Sequence, residues 1–443
     1  MPAAQSGDER GGKGEEEERH KRVKARWTIL RSAILSGKAC DANDERAMAA
    51  VSINRFSGFQ LLERKVIGAS ELAAVDPNVG PLVSCGDDGI QYECVEYSLD
   101  APPSRTESSP QTAHGVDAGR SALRIRTRQH IQRPLHQQKV SLDTLLSHRH
   151  YGVDNTGQVR VWDSESTLAY YLTKGDASCI ESIAPSAEDV SDDCGSEYAS
   201  SSLLGALISL AGERNELRVV ELGSGSAGLA GLALAVLSLG DFTYGKTVHV
   251  TLTDGHPHAV ASNRACSLLT SSLYGECAPS NITCQQLLWN DGDEGVSQCA
   301  QMTRSGAQPF DLCLASDCTH FQEFHAALAA TIGRLLAVEG VCIMCQPKRS
   351  DSLPRFIAVL NAMNSEQKLF DIKLQREDYD ERLWTLHRQQ MEKGHTEDKG
   401  NCLDAGAYDP MIHYPLLLIL KKIREYKEEI HTAAAVNHVR NRQ

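Results

Sequence analysis

The chain has 443 residues, with 45 lysines and arginines against 58 aspartates and glutamates, a formal net charge of −13. So acidic a chain does not suit a general nucleic-acid or membrane-surface binder, which needs a basic excess. Its 41% of hydrophobic residues allow a sizeable core, and its length allows two or three domains.

The opening MPAAQSGDERGGKGEEEERH has no apolar stretch and no small-residue cleavage site, so no secretory signal is expected. Residues 1–25 read as a disordered tail. The stretch RHKRVKARW is either a nuclear-import signal or a solvated helix start. From 26 to 174 lies a smaller N-terminal region. In it RWTILRSAIL has helical spacing, while SINRFSGFQLLERK and IQYECVEYSL read as strands. A Pro-, Ser- and Arg-rich insertion at about 101–139 is expected to bury no core. The segment DNTGQVRVWDS follows, a turn at Asn155-Thr156-Gly157 leading into a strand, and then STLAYYLTK with a helical pattern. Residues 175–202 are acidic and serine-rich, and read as a mobile insertion.

From 203 to 425 strand-like and helix-like segments alternate, beginning with LRVVELG, SAGLAGLALAVLSL and VHVTLTD and closing with HYPLLLILKK. Such alternation specifies an α/β domain, a mostly parallel sheet with helices on both faces. A tail follows at 426–443. The longest apolar runs, Leu229–Leu239 and Leu416–Leu420, are too short to span a bilayer. Most of the 14 cysteines are isolated, several in apolar segments. They read as buried reduced thiols, which fits cytoplasmic residence. The C-x-x-C pair Cys342 and Cys345 lies in a strand-like run, where residues three apart face opposite sides, so it is read as core.

The stretch carrying the most chemistry is Val219-Val220-Glu221-Leu222-Gly223-Ser224-Gly225-Ser226-Ala227-Gly228, a strand, a glycine turn and a helix start. Its glycines allow a tight turn and close approach of a ligand. As a bare pattern it also satisfies the dinucleotide fingerprint. Glu221 separates the readings. A carboxylate reaching the crevice would repel a pyrophosphate and attract the ammonium and sulfonium of S-adenosylmethionine. The loop is therefore read as holding that methyl donor through Glu221, Gly223, Ser224, Gly225 and Gly228. Asp254 ends the second strand, where it can accept from both ribose hydroxyls; its bland alternative is a helix N-cap. Trp289 follows the third strand and can cover the adenine, or can be a core tryptophan. Ser316 and Asp317 end the fourth strand at the same crevice.

The motifs RWTILR, INRFSGFQL, YECVEYSL, DNTGQVRVWDSESTLAYYL, VVELGSGSAGLAGLALA, LTDGHPHAVASN, FDLCLASDC, REDYDERLW and HYPLLLIL resemble the seven-strand class I protein-lysine methyltransferases, in particular their calmodulin-modifying members. The resemblance runs from Arg26 to about Lys422. It implies a Rossmann-like seven-stranded sheet whose last strand is antiparallel. It also implies S-adenosyl-L-methionine held by Gly223, Gly225, Asp254 and Trp289, with Trp162 reaching in, and calmodulin as the protein substrate of a monomeric enzyme. Many relatives carry Asp-x-x-Tyr after the fourth strand. This chain has Asp317-Cys318-Thr319-His320, so no substrate-gripping role passes to His320.

Methyl transfer to lysine needs a neutral amine, and free lysine has a pKa near 10.4. Catalysis is then largely placement and desolvation. Asp317 or Ser316 is a candidate to orient the ammonium. Tyr414 and His413, opening the last strand, are candidates to line the lysine channel; the bland alternative for Tyr414 is a packed aromatic. Arginines and Lys139 between 120 and 139 offer a patch for an acidic partner, or a merely solvated insertion. The rival functions are lysine methylation of an elongation factor or chaperone, a non-catalytic donor-binding scaffold, and a nicotinamide oxidoreductase.

Overall fold

The computed structural model describes residues 58–75, 80–83, 92–99, 123–130, 161–175, 203–239, 246–279, 281–304, 309–396 and 408–427. The expected N-terminal tail, the helix at RWTILR, the turn and strand of DNTGQVR, the acidic insertion beyond Gly175 and the tail beyond Lys427 lie outside these residues.

In chain order the elements begin with β1 (Glu63–Ile67), α1 (Ala69–Val75), β2 (Tyr92–Leu99), β3 (Leu123–His130), α2 (Asp163–Lys174) and α3 (Leu203–Ser209). Then come β4 (Glu216–Leu222), α4 (Leu229–Leu237), β5 (Thr247–Asp254), α5 (Pro257–Ser271), β6 (Ile282–Gln286), α6 (Asp293–Arg304) and β7 (Phe310–Ser316). The last are α7 (His325–Leu335), β8 (Leu336–Pro347), α8 (Ser352–Gln367), β9 (Phe370–Leu374), α9 (Glu381–Thr396), α10 (Pro410–His413) and β10 (Pro415–Lys422). The expected helix FHAALAATIGRLLAV stops at Leu335, and its last residues open β8.

The large sheet has seven strands in the order β6-β5-β4-β7-β8-β10-β9. Strands β4 to β8 pair in parallel, and β10 runs antiparallel to both neighbours, β8 and β9. Central strands covered by helices on both faces carry continuous apolar runs rather than alternation. FDLCLAS and PLLLIL are such runs, buried almost throughout. Helix α4, LAGLALAVL, is apolar all round because it is buried all round. Cys342 and Cys345 are fully buried in β8, as core thiols.

Strands β1, β2 and β3 form a separate antiparallel sheet. This corrects the reading of 101–139 as an insertion without a core, since LRIRTRQH is a strand and Ile125 and Thr127 are fully buried. Its arginines are accommodated by cross-strand partners. Arg126 pairs with Glu96 in register, its Nε 2.8 Å from Glu96 Oε2, and the Arg128 guanidinium lies 4.1 Å from the centre of the Tyr92 ring. The open edge of β3 is closed by side chains of α5 and of Tyr274 just beyond it. Thr270 Oγ1 accepts from the Arg126 amide and donates to its carbonyl, at 3.1 and 3.0 Å. Tyr274 Oη does the same for Arg124 at 2.7 Å each, and Cys266 Sγ accepts from the Arg128 amide at 3.1 Å. Helical spacing puts these side chains on one face, one turn apart, so they take the place of a fourth strand. The side chains of Arg126 and Arg128, from the expected docking patch, are therefore held within this sheet, while the Arg124 side chain is exposed; Arg120, Arg133 and Lys139 lie outside the described residues.

All described residues belong to one compact unit, covering 57–132, 156–400 and 408–443. The division drawn at 203 does not mark a change of unit. Gln367 exchanges two 3.0 Å hydrogen bonds with the Lys427 backbone, which ties the segment after β10 to the end of α8.

Candidate active site

In open α/β sheets, ligands bind beyond the carboxyl ends of the strands, where the strand order reverses. Here that point lies between β4 and β7. It gathers the glycine loop after β4, Asp254 at the end of β5, Trp289 after β6, and Ser316 and Asp317 at the end of β7.

Gly223, Gly225 and Gly228 all have left-handed φ, of 62°, 58° and 60°. At Gly223 even a methyl would not fit, because an added Cβ would lie 2.9 Å from Cys318 Sγ and 3.1 Å from Trp289 Cζ2. The indole of Trp289 therefore lies against the bare loop backbone. The loop is tied to β5 from both sides. The Gly225 amide donates to Asp254 Oδ2 at 3.0 Å, and Asp254 Oδ1 accepts from the His256 amide at 2.8 Å. Asp254 is thus a clamp on the loop as well as the crevice-edge acid; the N-cap of α5 is His256, whose ring accepts from the His258 amide.

Several sequence expectations change. Ser224 is buried, with both its amide and its hydroxyl donating to the Thr253 carbonyl at 2.9 and 3.1 Å. Its hydroxyl also accepts from Asn263 Nδ2 at 2.5 Å. Ser224 braces the loop from below and does not offer a free hydroxyl to a ligand. Glu221 does not reach into the crevice. It is fully buried, and its Oε2 accepts from the Gly231 amide in the first turn of α4 at 2.8 Å. Burial, then the nearby charge of Glu165, raise its pKa well above the usual carboxylate range. The strand's alternation turns this side chain toward the helix packed on the sheet.

Asp317 has a left-handed φ of 53°, and both oxygens of its carboxylate accept from one edge of the Arg349 guanidinium, with Nε 2.7 Å from Oδ1 and Nη2 on Oδ2. Both side chains are nearly buried, so its charge is already matched and it is not an open acceptor for a lysine ammonium. The Arg349 guanidinium also lies 5.4 Å from the centre of the Trp162 ring. Arg349 and Ser350 carry left-handed φ of 42° and 64°. Strained non-glycine backbone of this kind clusters at functional sites. Ser316, half-buried, ends β7 in register with Cys345.

Tyr414 is packed rather than poised. Its hydroxyl donates to the Glu377 carbonyl, and its ring centre lies 4.2 Å from that of His387 and 6.1 Å from that of Phe59. Burial pushes its pKa upward. His413 is also buried, its Nδ1 accepting from the Asp409 amide at 2.9 Å. His320 keeps its Nδ1 2.9 Å from the Asp317 carbonyl.

Sequence reasoning missed two residues. Arg349 follows β8 at its carboxyl end, and that position alone was a signal. Glu165 stands in the first turn of α2 and reads locally as an ordinary acidic helix start. In the fold its Oε1 accepts from the Leu229 amide, at the head of α4, at 2.8 Å.

The strand order, the antiparallel β10 and the bare, left-handed glycine loop under Trp289 define a class I methyltransferase. Buried polar atoms without a partner among the described residues surround that loop: Glu221 Oε1, Ser226 Oγ and Asn263 Oδ1. With the flat indole they fit a polar ligand with an aromatic base. A family model described as lysine methyltransferase matches residues 142–363. A calmodulin-lysine N-methyltransferase of Arabidopsis thaliana is 29% identical over 283 residues, covering 62% of this chain and 68% of the relative. Among solved structures, an rRNA methylase of Streptococcus thermophilus aligns at 13% identity and a TM-score of 0.28, over 49% of this chain and 93% of that one. A TehB-like S-adenosylmethionine-dependent methyltransferase of Corynebacterium glutamicum aligns at 15% identity and 0.27, over 49% and 85%. The chain belongs to the lysine methyltransferase family, and its methyl donor is S-adenosyl-L-methionine.

Proposed function

We propose that this enzyme methylates a lysine of calmodulin. The observation that carries the substrate is the 29% identity over 283 residues to a relative named for that reaction. The donor would be held by the backbone of Gly223, Gly225 and Gly228, by Asp254 at the ribose, and by Trp289 on the adenine face. Trp162, fixed by Arg349, and Ser316 would complete the wall.

The donor supplies an electrophilic methyl on a sulfonium. The lysine Nε–methyl bond forms as the sulfur–methyl bond breaks, and the bonding pair leaves with the sulfur. The amine must first lose a proton. Asp317 is bound to Arg349 and the Tyr414 hydroxyl is bound to Glu377, so in this reading the proton passes to water. The protein's contribution is placement and exclusion of bulk water. The aromatic side chains and the neutral Asp317–Arg349 pair would favour an uncharged amine over an ammonium, as desolvation disfavours the charged form.

The test is incubation of the full chain with labelled S-adenosylmethionine and a panel of calmodulin, elongation factors and chaperones. Label on calmodulin, lost when the modified lysine is changed to arginine, is expected. Label on another protein with none on calmodulin would sink the substrate and leave the reaction class intact.

A further inference from the structure

Helix α4 begins directly after the glycine loop, and two buried carboxylates meet its first turn. Glu165, from α2, accepts from the amide of Leu229, the first helical residue, at 2.8 Å. Glu221, from β4, accepts from the amide of Gly231, the third, at 2.8 Å. Gly231 makes room for this, since a Cβ there would lie 2.7 Å from Glu221 Oε2. A helix N-terminus carries a partial positive charge with unsatisfied amides, and one carboxylate suffices to cap it. Here there are two, both almost fully buried, and Glu221 Oε1 has no hydrogen-bond partner among the described residues. Two acids so placed cannot both ionise cheaply. The arrangement is poorly suited to stability alone and well suited to a ligand that brings positive charge.

We propose that Glu165 is a positioning residue for the methyl donor: it sets the glycine loop through the head of α4, and the single negative charge that it and Glu221 can carry between them favours the cationic sulfonium donor over its neutral thioether product. The donor's sulfonium and ammonium are offset by one carboxylate, leaving a net positive charge. The demethylated product keeps the ammonium and carboxylate but has an uncharged sulfur. A buried negative charge therefore discriminates substrate from product by the charge on sulfur alone.

The groups facing this pair come from several elements. Asp254 of β5 raises the proton affinity of both acids, and burial raises it more. Tyr97 of β2 and Cys266 of α5 also feel Glu165, but burial pushes each of them up to about 12, so they stay neutral near pH 7. Cys313 of β7 and Cys318, which feel Glu221, are likewise raised by burial. The carboxylates are left as the groups that titrate. The Glu165 carboxyl is pushed up to about 7, chiefly by burial, so bringing a cation nearby should release a proton at neutral pH.

The experiment is calorimetric titration of the full chain with S-adenosylmethionine and with S-adenosylhomocysteine, from pH 6 to 8, in buffers of different ionisation enthalpy. The wild-type protein should release a fraction of a proton on binding the donor near pH 7 and distinctly less on binding the product. Glu165→Gln keeps an acceptor for the Leu229 amide and loses the charge. It should weaken the donor roughly tenfold, flatten the pH dependence of donor binding, and weaken the product much less. Equal loss for both ligands would make Glu165 a structural cap only. Unchanged donor binding, or wild-type binding with the same proton release for both ligands, would also overturn the proposal. The wild-type measurement decides even if the variant does not fold.

Discussion

Gly223 leaves no room for a side chain, and Gly223→Ala tests whether the loop geometry is what binds the donor. Two costs add there. An alanine held at φ 62° pays about 1–2 kcal/mol for the left-handed backbone. Its Cβ also meets Cys318 Sγ at 2.9 Å and the Trp289 indole at 3.1 and 3.3 Å, an overpacking that typically costs about 1–3 kcal/mol. The sum, roughly 2–5 kcal/mol, should appear partly as lower stability in urea unfolding and partly as lost donor affinity, since Trp289 must move off the loop. Cys318→Ala in the same chain removes one of the clashing atoms. It should recover part of the loss, with a coupling of at least about 0.5 kcal/mol, as for residues in contact. Wild-type donor affinity in Gly223→Ala, or strict additivity of the two changes, would refute the packing described around this loop.

Three further outcomes follow from the same structure. Arg349→Gln leaves the buried Asp317 carboxylate without its partner and should cost about 3–5 kcal/mol of stability. Adding Asp317→Asn should return much of that in urea unfolding, whereas no recovery would mean that the two side chains are not coupled. Tyr414→Phe removes a hydroxyl that donates to a backbone carbonyl; it should cost about 1 kcal/mol and leave kcat nearly unchanged, so a large fall in kcat would restore Tyr414 as a catalytic group. Glu165 has its carboxyl raised in the fold from 4.5 to about 7, so the folded state holds its proton more tightly than the unfolded state. Stability without donor should therefore fall as pH rises from about 4.5 to about 7, by an amount on the order of 3 kcal/mol. Glu165→Gln should remove that part of the decline and be the more stable form at pH 8; a steeper decline in the variant would contradict the assignment.

The members of the large sheet and the tight turn of the glycine loop were legible because they rest on local patterns. Apolar runs such as VVEL, FDLCLAS and PLLLIL, spaced by helical segments, declare buried strands. Three glycines after a strand declare a tight turn, and Asp254 and Trp289 sit where the next two strands must end. The antiparallel β10, by contrast, came from resemblance, since nothing in PLLLIL states its direction.

What only the tertiary structure decided are the pairings between residues far apart in the chain, because a charged side chain's role depends on what burial brings beside it. LRIRTRQH looks too polar for a core until Glu96, Tyr92 and the Thr270–Tyr274 edge answer its arginines and its open backbone. Asp317 reads as a free acid until Arg349 closes on it. Glu221 reads as a crevice carboxylate until α4 packs over it and takes its oxygen. Glu165 carries no local signal at all, and acquires its place only when α2 delivers it to the first turn of α4. Periodicity and glycine placement travel with the sequence; the partner that sets a carboxylate's charge and direction does not.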